Sequence, residues 1–233
     1  MAEDAVSPGS RAAVYTTLAA GPAFRHEIEI KRSRFITVLA RTGDEAGARS
    51  VVAGLRKEFH DARHHCSAFV LGADRQVQRS NDDGEPSGTA GIPMLEALLK
   101  RETGPGVADL SDVTAVVVRY FGGILLGTGG LVRAYSESVS GALDRAPLVQ
   151  RRRLRICSVA VAPAAAGRLE NDLRAAGYVM AETSYGAQTT VLRLALPDEP
   201  EGLARAAERL AAVSAGSASL VPGETEWIDV PGS

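Results

Sequence analysis

The chain has 233 residues, 45% hydrophobic and 23% charged, with a formal net charge of -2, the composition of an ordinary globular protein with length for one large or two small domains. Charges of both signs are spread over both halves, so bulk charge marks neither as a basic nucleic-acid module. Glu3, Asp4 and Arg11 break up the start of the chain, so neither a signal peptide nor a membrane span is expected there, and a cytoplasmic protein with no membrane partner is expected.

Only Cys66 and Cys157 are present, far apart and outside any paired-cysteine spacing; reduced thiols are expected, without a disulfide scaffold or thiolate zinc site. Residues 1–22, rich in Ala, Ser, Gly and Thr, are expected to form a flexible N-terminal arm. From Phe24 the pattern turns strand-like, with Ile28, Ile30, Phe35 and Val38 interrupted by Lys31, Arg32 and Arg34. That basic cluster suits either phosphate contact or a solvated strand end. After Thr42 or Asp44 as N-cap, Ala48, Val51, Val52, Leu55 and Phe59 recur at helical spacing and predict a helix packed on a sheet.

Ala68–Leu71 and the stretch toward Val77 predict a strand hairpin turning at Gly72-Ala73-Asp74. A loop punctuated by glycine and proline follows, from Asn81 to Gly91, and then a helix with Pro93 near its start and Met94, Leu95, Leu98 and Leu99 inward. The valine-rich run Val113–Tyr120 predicts a strand buried on both faces. It leads through a glycine-rich segment into a third helix with Leu131, Val132, Tyr135, Val139, Ala142 and Leu143 inward.

Pro147 and Arg151-Arg152-Arg153 mark the expected boundary between a first domain over residues 23–147 and a second over 151–224. In the second, strand-like Leu154, Ile156 and Val159 precede a helix from Pro163 that stops at Gly177. Two strands around Gly186, a helix with Leu203, Ala206, Ala207 and Leu210, and a last strand near Leu220 complete the order strand, helix, strand, strand, helix, strand. That order is the ferredoxin-like βαββαβ arrangement. The tail with Trp227 and Ile228 is expected either to fold back as an anchor or to stay loose.

Three segments carry candidate chemistry. The loop Asp83-Gly84-Glu85-Pro86-Ser87-Gly88-Thr89, preceded by Asp82, concentrates carboxylates suited to a cation or to acid/base work. Turn chemistry alone accounts for the same residues, with Asp82, Asp83 and Ser87 bonding backbone and Gly84, Gly88 and Gly91 supplying unusual dihedrals. His64 and His65 are adjacent, so on a strand they point to opposite faces and at most one looks into any site. The glycines before the third helix leave backbone N–H groups at a helix start, which suits an anion. Gly127-Thr128-Gly129-Gly130 lacks both the third glycine of a dinucleotide fingerprint and a Gly-Lys-Ser/Thr, which excludes Rossmann and Walker readings.

Lys31-Arg32-Ser33-Arg34-Phe35-Ile36, Asp61-Ala62-Arg63-His64-His65-Cys66, Asp83 to Gly91, and Val118-Arg119-Tyr120-Phe121-Gly122-Gly123 with Gly127-Thr128-Gly129-Gly130-Leu131 occur in that order. Together they resemble the hallmark segments of the IMPACT/YigZ family, in particular its bacterial two-domain members. The resemblance covers roughly Phe24 to Pro147. It implies an α+β protein: an N-terminal α/β domain similar to ribosomal proteins and to elongation factor G, followed by a ferredoxin-like domain like that factor's last one. Both imply translation, with the ribosome, RNA or a translation factor as partner. Eukaryotic relatives carry a partner-binding domain ahead of the shared one, and it is not expected here.

The resemblance brings no assignable reaction, no cofactor and no metal, and the chain is not expected to be an enzyme. If the four blocks form a binding surface, Arg32, Arg34, Arg63, His65, Arg119 and Arg133 are the expected anion contacts, with Gly122, Gly123, Gly129 and Gly130 as backbone donors. The alternatives are a hydrolase or transferase that gathers Asp83, Glu85 and His65 around one atom, and a protein-interaction module without nucleic acid. Nothing in the sequence sets an oligomeric state.

Overall fold

The computed structural model describes residues 12–230, and they form two compact units that divide between Gln150 and Arg151. Mixed α+β architecture holds throughout, with two antiparallel sheets and five helices among the described residues. The strand β1, Val14–Leu18, lies inside the stretch expected to be a flexible arm. Tyr15, Thr16, Thr17 and Leu18 are buried, and the Tyr15 hydroxyl bonds the buried Asp112 carboxylate, which ties this segment down; the rest of the expected arm, residues 1–11, lies outside the described residues.

In the first unit β2 (Phe24–Ile30), β3 (Ser33–Arg41), β4 (His64–Leu71), β5 (Val77–Asn81) and β6 (Val113–Tyr120) form an antiparallel sheet in the order β2-β3-β6-β4-β5. The valine-rich β6 lies at its centre, buried along nearly all its length, because helices cover both of its faces. Helix α1, Glu45–Glu58, is started by Asp44, whose carboxylate accepts from the Gly47 amide at 2.6 Å, and ends on Arg56 and Lys57. Its inner residues Val51, Val52, Leu55 and Phe59 pack on Val38 and Val116.

Alternate residues of the same strands, among them Phe35, Leu39, Cys66, Ala68, Val113, Ala115 and Val117, face α2 (Gly91–Lys100) and α3 (Thr128–Leu143) instead. Met94 and Leu98 of α2 and Tyr135, Val139 and Leu143 of α3 complete this larger core. Each fully buried large apolar side chain of this kind contributes about 1.5–3 kcal/mol. Val132, expected to face inward, is 38% exposed; Ala134 and Ser138 take the inner face, and the Ser138 and Thr37 hydroxyls meet at 2.5 Å.

The chain reaches the second unit along β7, Leu148–Val161. There α4 (Pro163–Ala175), β8 (Val179–Met180), β9 (Ser184–Tyr185), β10 (Thr190–Leu196), α5 (Pro200–Val213) and β11 (Val221–Val230) follow. β10 pairs antiparallel with β7 and carries β8 and β9 on its other edge, while β11 pairs with β7. Leu169, Leu173, Ala206 and Leu210 of the two helices close over Cys157, Val159, Leu192 and Leu194. Trp227 and Ile228 are part of β11 itself, so the last strand runs past the expected end at residue 224.

One glycine fixes the geometry of the first unit's sheet end. The β2–β3 hairpin turns on Lys31 and Arg32, both with positive φ (46° and 66°), the left-handed pair that a two-residue hairpin needs. Gly122 lies against that turn so closely that a Cβ would stand 2.0 Å from the Arg32 carbonyl carbon and 2.1 Å from its oxygen. Gly122→Ala is therefore expected to cost about 3 kcal/mol, the upper end for overpacking, in urea denaturation. Gly54→Ala, in the middle of α1 where a Cβ meets nothing within 4 Å, is expected to stabilise by about 0.5–1 kcal/mol in the same measurement.

Candidate functional site: a cleft at the sheet end

Register places Arg119 of β6 opposite Phe35 of β3 on one side and His64 of β4 on the other. Residues directly opposite share a face, so Phe35, Arg119 and His64 form one row on the face covered by α2 and α3. Arg119 is only 6% exposed. Its Nη1 donates to Glu85 Oε1 at 2.6 Å and its Nη2 to Ser33 Oγ at 3.4 Å, while the guanidinium lies 5.4 Å from the Phe35 ring centroid and 5.7 Å from that of Phe121.

The same Glu85 oxygen accepts from the Tyr135 hydroxyl at 2.7 Å. Behind it, the Cys66 thiol donates toward the Tyr135 oxygen at 3.3 Å and the Asp82 carbonyl at 3.0 Å. Burial pushes the Cys66 thiol up to about 12 and raises the Tyr135 phenol as well, so both stay protonated donors at neutral pH. The cysteine is thus a buried donor and not an activated nucleophile.

The loop between β5 and α2 forms one wall, and Asp82 organises it. Its Oδ1 accepts from the amides of Ala90 (3.0 Å) and Gly91 (2.7 Å) and its Oδ2 from that of Gly88 (2.8 Å). Ala90 has no capping side chain, so this carboxylate caps α2 from a distance. Burial pushes the Asp82 carboxyl up, but the amides of Gly88, Gly91 and Ala90 outweigh it and hold the group below its ordinary value. Gly84 and Gly88 take positive φ (83° and 76°), as the turn reading requires; Gly91 is needed instead for closeness, since a Cβ would stand 2.7 Å from the Asn81 nitrogen. Thr89 Oγ1 donates to the Pro86 carbonyl at 2.7 Å, and Ser87 is exposed.

The opposite wall is the segment from Phe121 to the start of α3. Gly127, with φ 70°, is the N-cap and offers no side-chain acceptor. Helix geometry leaves the first amides, of Thr128, Gly129 and Gly130, without intrahelical acceptors and with the positive end of the helix dipole. Between the walls is a cleft of about 410 Å³ lined by Arg63, His64, Glu85, Pro86, Arg119, Phe121, Leu125, Leu126, Gly127, Thr128 and Leu131. Segments far apart in the sequence therefore meet at one place.

Not every expected contact lies there. Arg63 does: it is exposed and has no ion pair among the described residues. Arg119 also lines the cleft, but as its floor and already paired. Arg34 is committed to Glu27 at 2.7 Å and lies over the Tyr120 ring, while Arg32 serves the hairpin turn. Arg133 is exposed on α3, outside the residues lining the cleft, with Nε directed at the Gly129 carbonyl at 3.4 Å. Gly122 gives its amide to Ser33 Oγ at 3.2 Å; Gly123 takes φ 85° in the turn that follows. Gly129 and Gly130 are in the first turn of α3.

His65 is corrected to the opposite face. It is 4% exposed, its backbone amide donates to Asp83 Oδ2 at 2.5 Å, and its Nδ1 lies 3.9 Å from the same oxygen. Burial chiefly, and the nearby Arg56 charge next, lower its pKa. Asp83 in turn bonds Arg56 at 2.5 Å. Since Glu85 is on the other face with Arg119, the acid/base grouping of Asp83, Glu85 and His65 around a common atom is not assembled. Among the described residues no group of three or more His, Cys, Asp or Glu is placed to hold a metal ion.

The residues missed are informative. His64, rather than His65, lines the cleft, and its Nδ1 donates to the Asp83 carbonyl at 2.9 Å; alternation gave a choice between the two without the register that decides it. Phe121 and Leu125 sat in a stretch read for its glycines. Tyr135 was read as core, and its hydroxyl partner became visible only with Glu85 folded over it.

Substitutions at Glu85, Arg119 and Asp82 test this construction. Glu85→Ala leaves Arg119 buried without its carboxylate and is expected to cost about 3–5 kcal/mol in urea denaturation, whereas a Glu85→Met/Arg119→Met double variant loses less because no charge is stranded. Asp82 has a folded-state pKa below the unfolded one, so its stabilisation is present above the unfolded value and is lost as pH falls through the folded one. The gap between wild type and Asp82→Ala is expected to be about 1–3 kcal/mol at neutral pH and to shrink below roughly pH 4.

Comparison with known proteins agrees with these blocks. Residues 31–143 match the Impact N-terminal domain. The chain is 46% identical over 160 residues to the IMPACT family member YvyE of Bacillus subtilis, covering 69% of this chain and 70% of that protein. It is 56% identical over 117 residues to YigZ of Escherichia coli, which spans 49% of this chain and 54% of the relative, and 36% identical over 173 residues to a Thermus thermophilus member, 74% and 89%. A crystal structure of a hypothetical protein at 38% identity superposes with a TM-score of 0.57, covering 91% of this chain and 98% of that one. With three of the four blocks lining one cleft and these relatives alongside, the chain belongs to the IMPACT family.

Proposed function

We propose that the chain binds phosphate groups of RNA at this cleft and acts in translation in the cytoplasm, with the ribosome as the partner. The observation that carries the reading is the uncapped start of α3, opening beside Arg63, which has no ion pair among the described residues, in a cleft where Arg119 and Glu85 are already matched to each other. Free amides, a helix dipole and one exposed cation together recognise a phosphate oxygen. Family membership supports the setting in translation.

Fold analogy points the same way. The sheet order β11-β7-β10-β8, with α4 and α5 packed against its strands, supports reading the second unit as a ferredoxin-like domain. We read the first unit as the ribosomal-protein and elongation-factor type of α/β domain implied by the resemblance. Such analogies bear on fold and only lend weight to function.

The test is co-sedimentation of the purified protein with ribosomes and separated subunits across a salt series, comparing wild type with Gly129→Asp. A Cβ at Gly129 meets nothing within 4 Å, and a carboxylate in the first turn of a helix is favourable to folding by about 0.3–1 kcal/mol, so this variant folds while repelling an anion. Wild-type pelleting is expected to fall steeply as salt rises and to be lost in Gly129→Asp. Pelleting that ignores salt and survives the substitution would replace the phosphate reading with a protein contact; no pelleting at any salt would remove the ribosome as partner.

A further inference from the structure

The lip of the cleft is apolar and exposed. Phe121 is 49% exposed, Ile124 41% and Leu125 83%, large side chains left in water on a segment whose course is fixed by the close packing of Gly122 against the hairpin turn. The Arg119 guanidinium lies 5.7 Å from the Phe121 ring centroid, a cation–π contact that favours one orientation of the ring. An oriented, half-exposed aromatic ring beside an anion-binding helix start is the pairing of groups that single-stranded nucleic acid requires, one for the base and one for the phosphate.

Two further observations point to a ligand. His64 Nδ1 bonds a backbone carbonyl, which can only accept, so that nitrogen carries the proton and the neutral ring's Nε2 is left as an acceptor for a ribose hydroxyl or a base N–H. The cleft, about 410 Å³, lies in the range of small-ligand sites. It has room for one base with its sugar. The net charge of -2 also argues against a long basic track along a backbone.

Resting on the phosphate reading above, we propose that the cleft captures one unpaired nucleotide of a single-stranded RNA segment. Its phosphate sits at the amides of Thr128–Gly130 with Arg63, and its base packs on Phe121 and Leu125. Duplex RNA, whose bases are stacked and paired inside, is rejected because one nucleotide cannot be splayed into the cleft without breaking the helix.

The experiment is fluorescence anisotropy of a labelled oligoribonucleotide, single-stranded or annealed to its complement, titrated with full-length wild type, Phe121→Ala, Phe121→Trp and Gly129→Asp. Phe121→Ala is expected to weaken single-strand binding about 5- to 150-fold, the equivalent of roughly 1–3 kcal/mol of base stacking, with Phe121→Trp restoring it. The dependence of log affinity on log salt is expected to have a slope of only about -0.7 to -1.4, one or two phosphates, and to be the same in Phe121→Ala, which loses no phosphate contact. The duplex is expected to bind more weakly than the single strand. If Phe121→Ala binds within about twofold of wild type, or the duplex binds as well as the single strand, while Gly129→Asp abolishes binding, the base pocket is overturned and the phosphate site stands. If no oligonucleotide binds wild type at any salt, both fall; loss of ribosome pelleting in Phe121→Ala would then make the lip a protein-docking surface.

Discussion

The ion pair between Arg119 and Glu85 holds the first unit's functional end together. One partner comes from the central strand and the other from a loop, and Tyr135 of α3 donates to the same carboxylate oxygen. Taking two charges out of water costs several kcal/mol per ion, and attraction alone rarely offsets that. Here the deficit is reduced by the extra hydrogen bonds from Tyr135 and Ser33 and by the two aromatic rings against the guanidinium. An apolar pair of the same volume would hold the layers together as well or better. What it would not do is fix the loop in one position relative to strand and helix, and the cleft exists only in that position.

The glycines divide into those that shape the cleft and those that leave it open. Gly122 and Gly91 are required because backbone stands where a Cβ would be, and Gly84 and Gly88 because the loop turns through positive φ. Gly129 has room to spare. A small residue without a steric reason, in the first turn of a helix that lacks a capping side chain, keeps the amides uncovered. The arginines divide in a similar way. Arg34 and Arg119 are matched by Glu27 and Glu85, while Arg63 has no ion pair among the described residues.

Local pattern made much of the fold legible in the sequence. Asp44 ahead of α1, the apolar run of β6 and the proline opening α4 each act over a few residues, and their elements formed where the pattern placed them. Val14–Leu18 escaped because its anchor is Asp112, far along the chain, and composition carries no trace of such a partner. The site was legible as a set of blocks and not as an arrangement. Choosing His64 over His65 needs the register with Arg119, and recognising Arg119 as a floor rather than a free cation needs Glu85 in place. Both are long-range facts. Arg133 shows the converse: it follows the glycine segment closely in sequence, yet one turn of helix carries it away from the residues that line the cleft.

The row Phe35, Arg119, His64 also has a consequence for synthesis on the ribosome. Neighbours in that row are separated by long stretches of chain, and β6, the strand between the other two, is made after both of them. β3 and β4 are not paired with each other, so neither can hold a floor before β6 has left the exit tunnel, and Tyr135 arrives later still. Contacts of such sequence separation form slowly compared with helices and hairpins. A growing chain therefore displays the hairpin of β2 and β3 and the start of α1 long before the cleft exists, and its second wall is in place only when α3 docks.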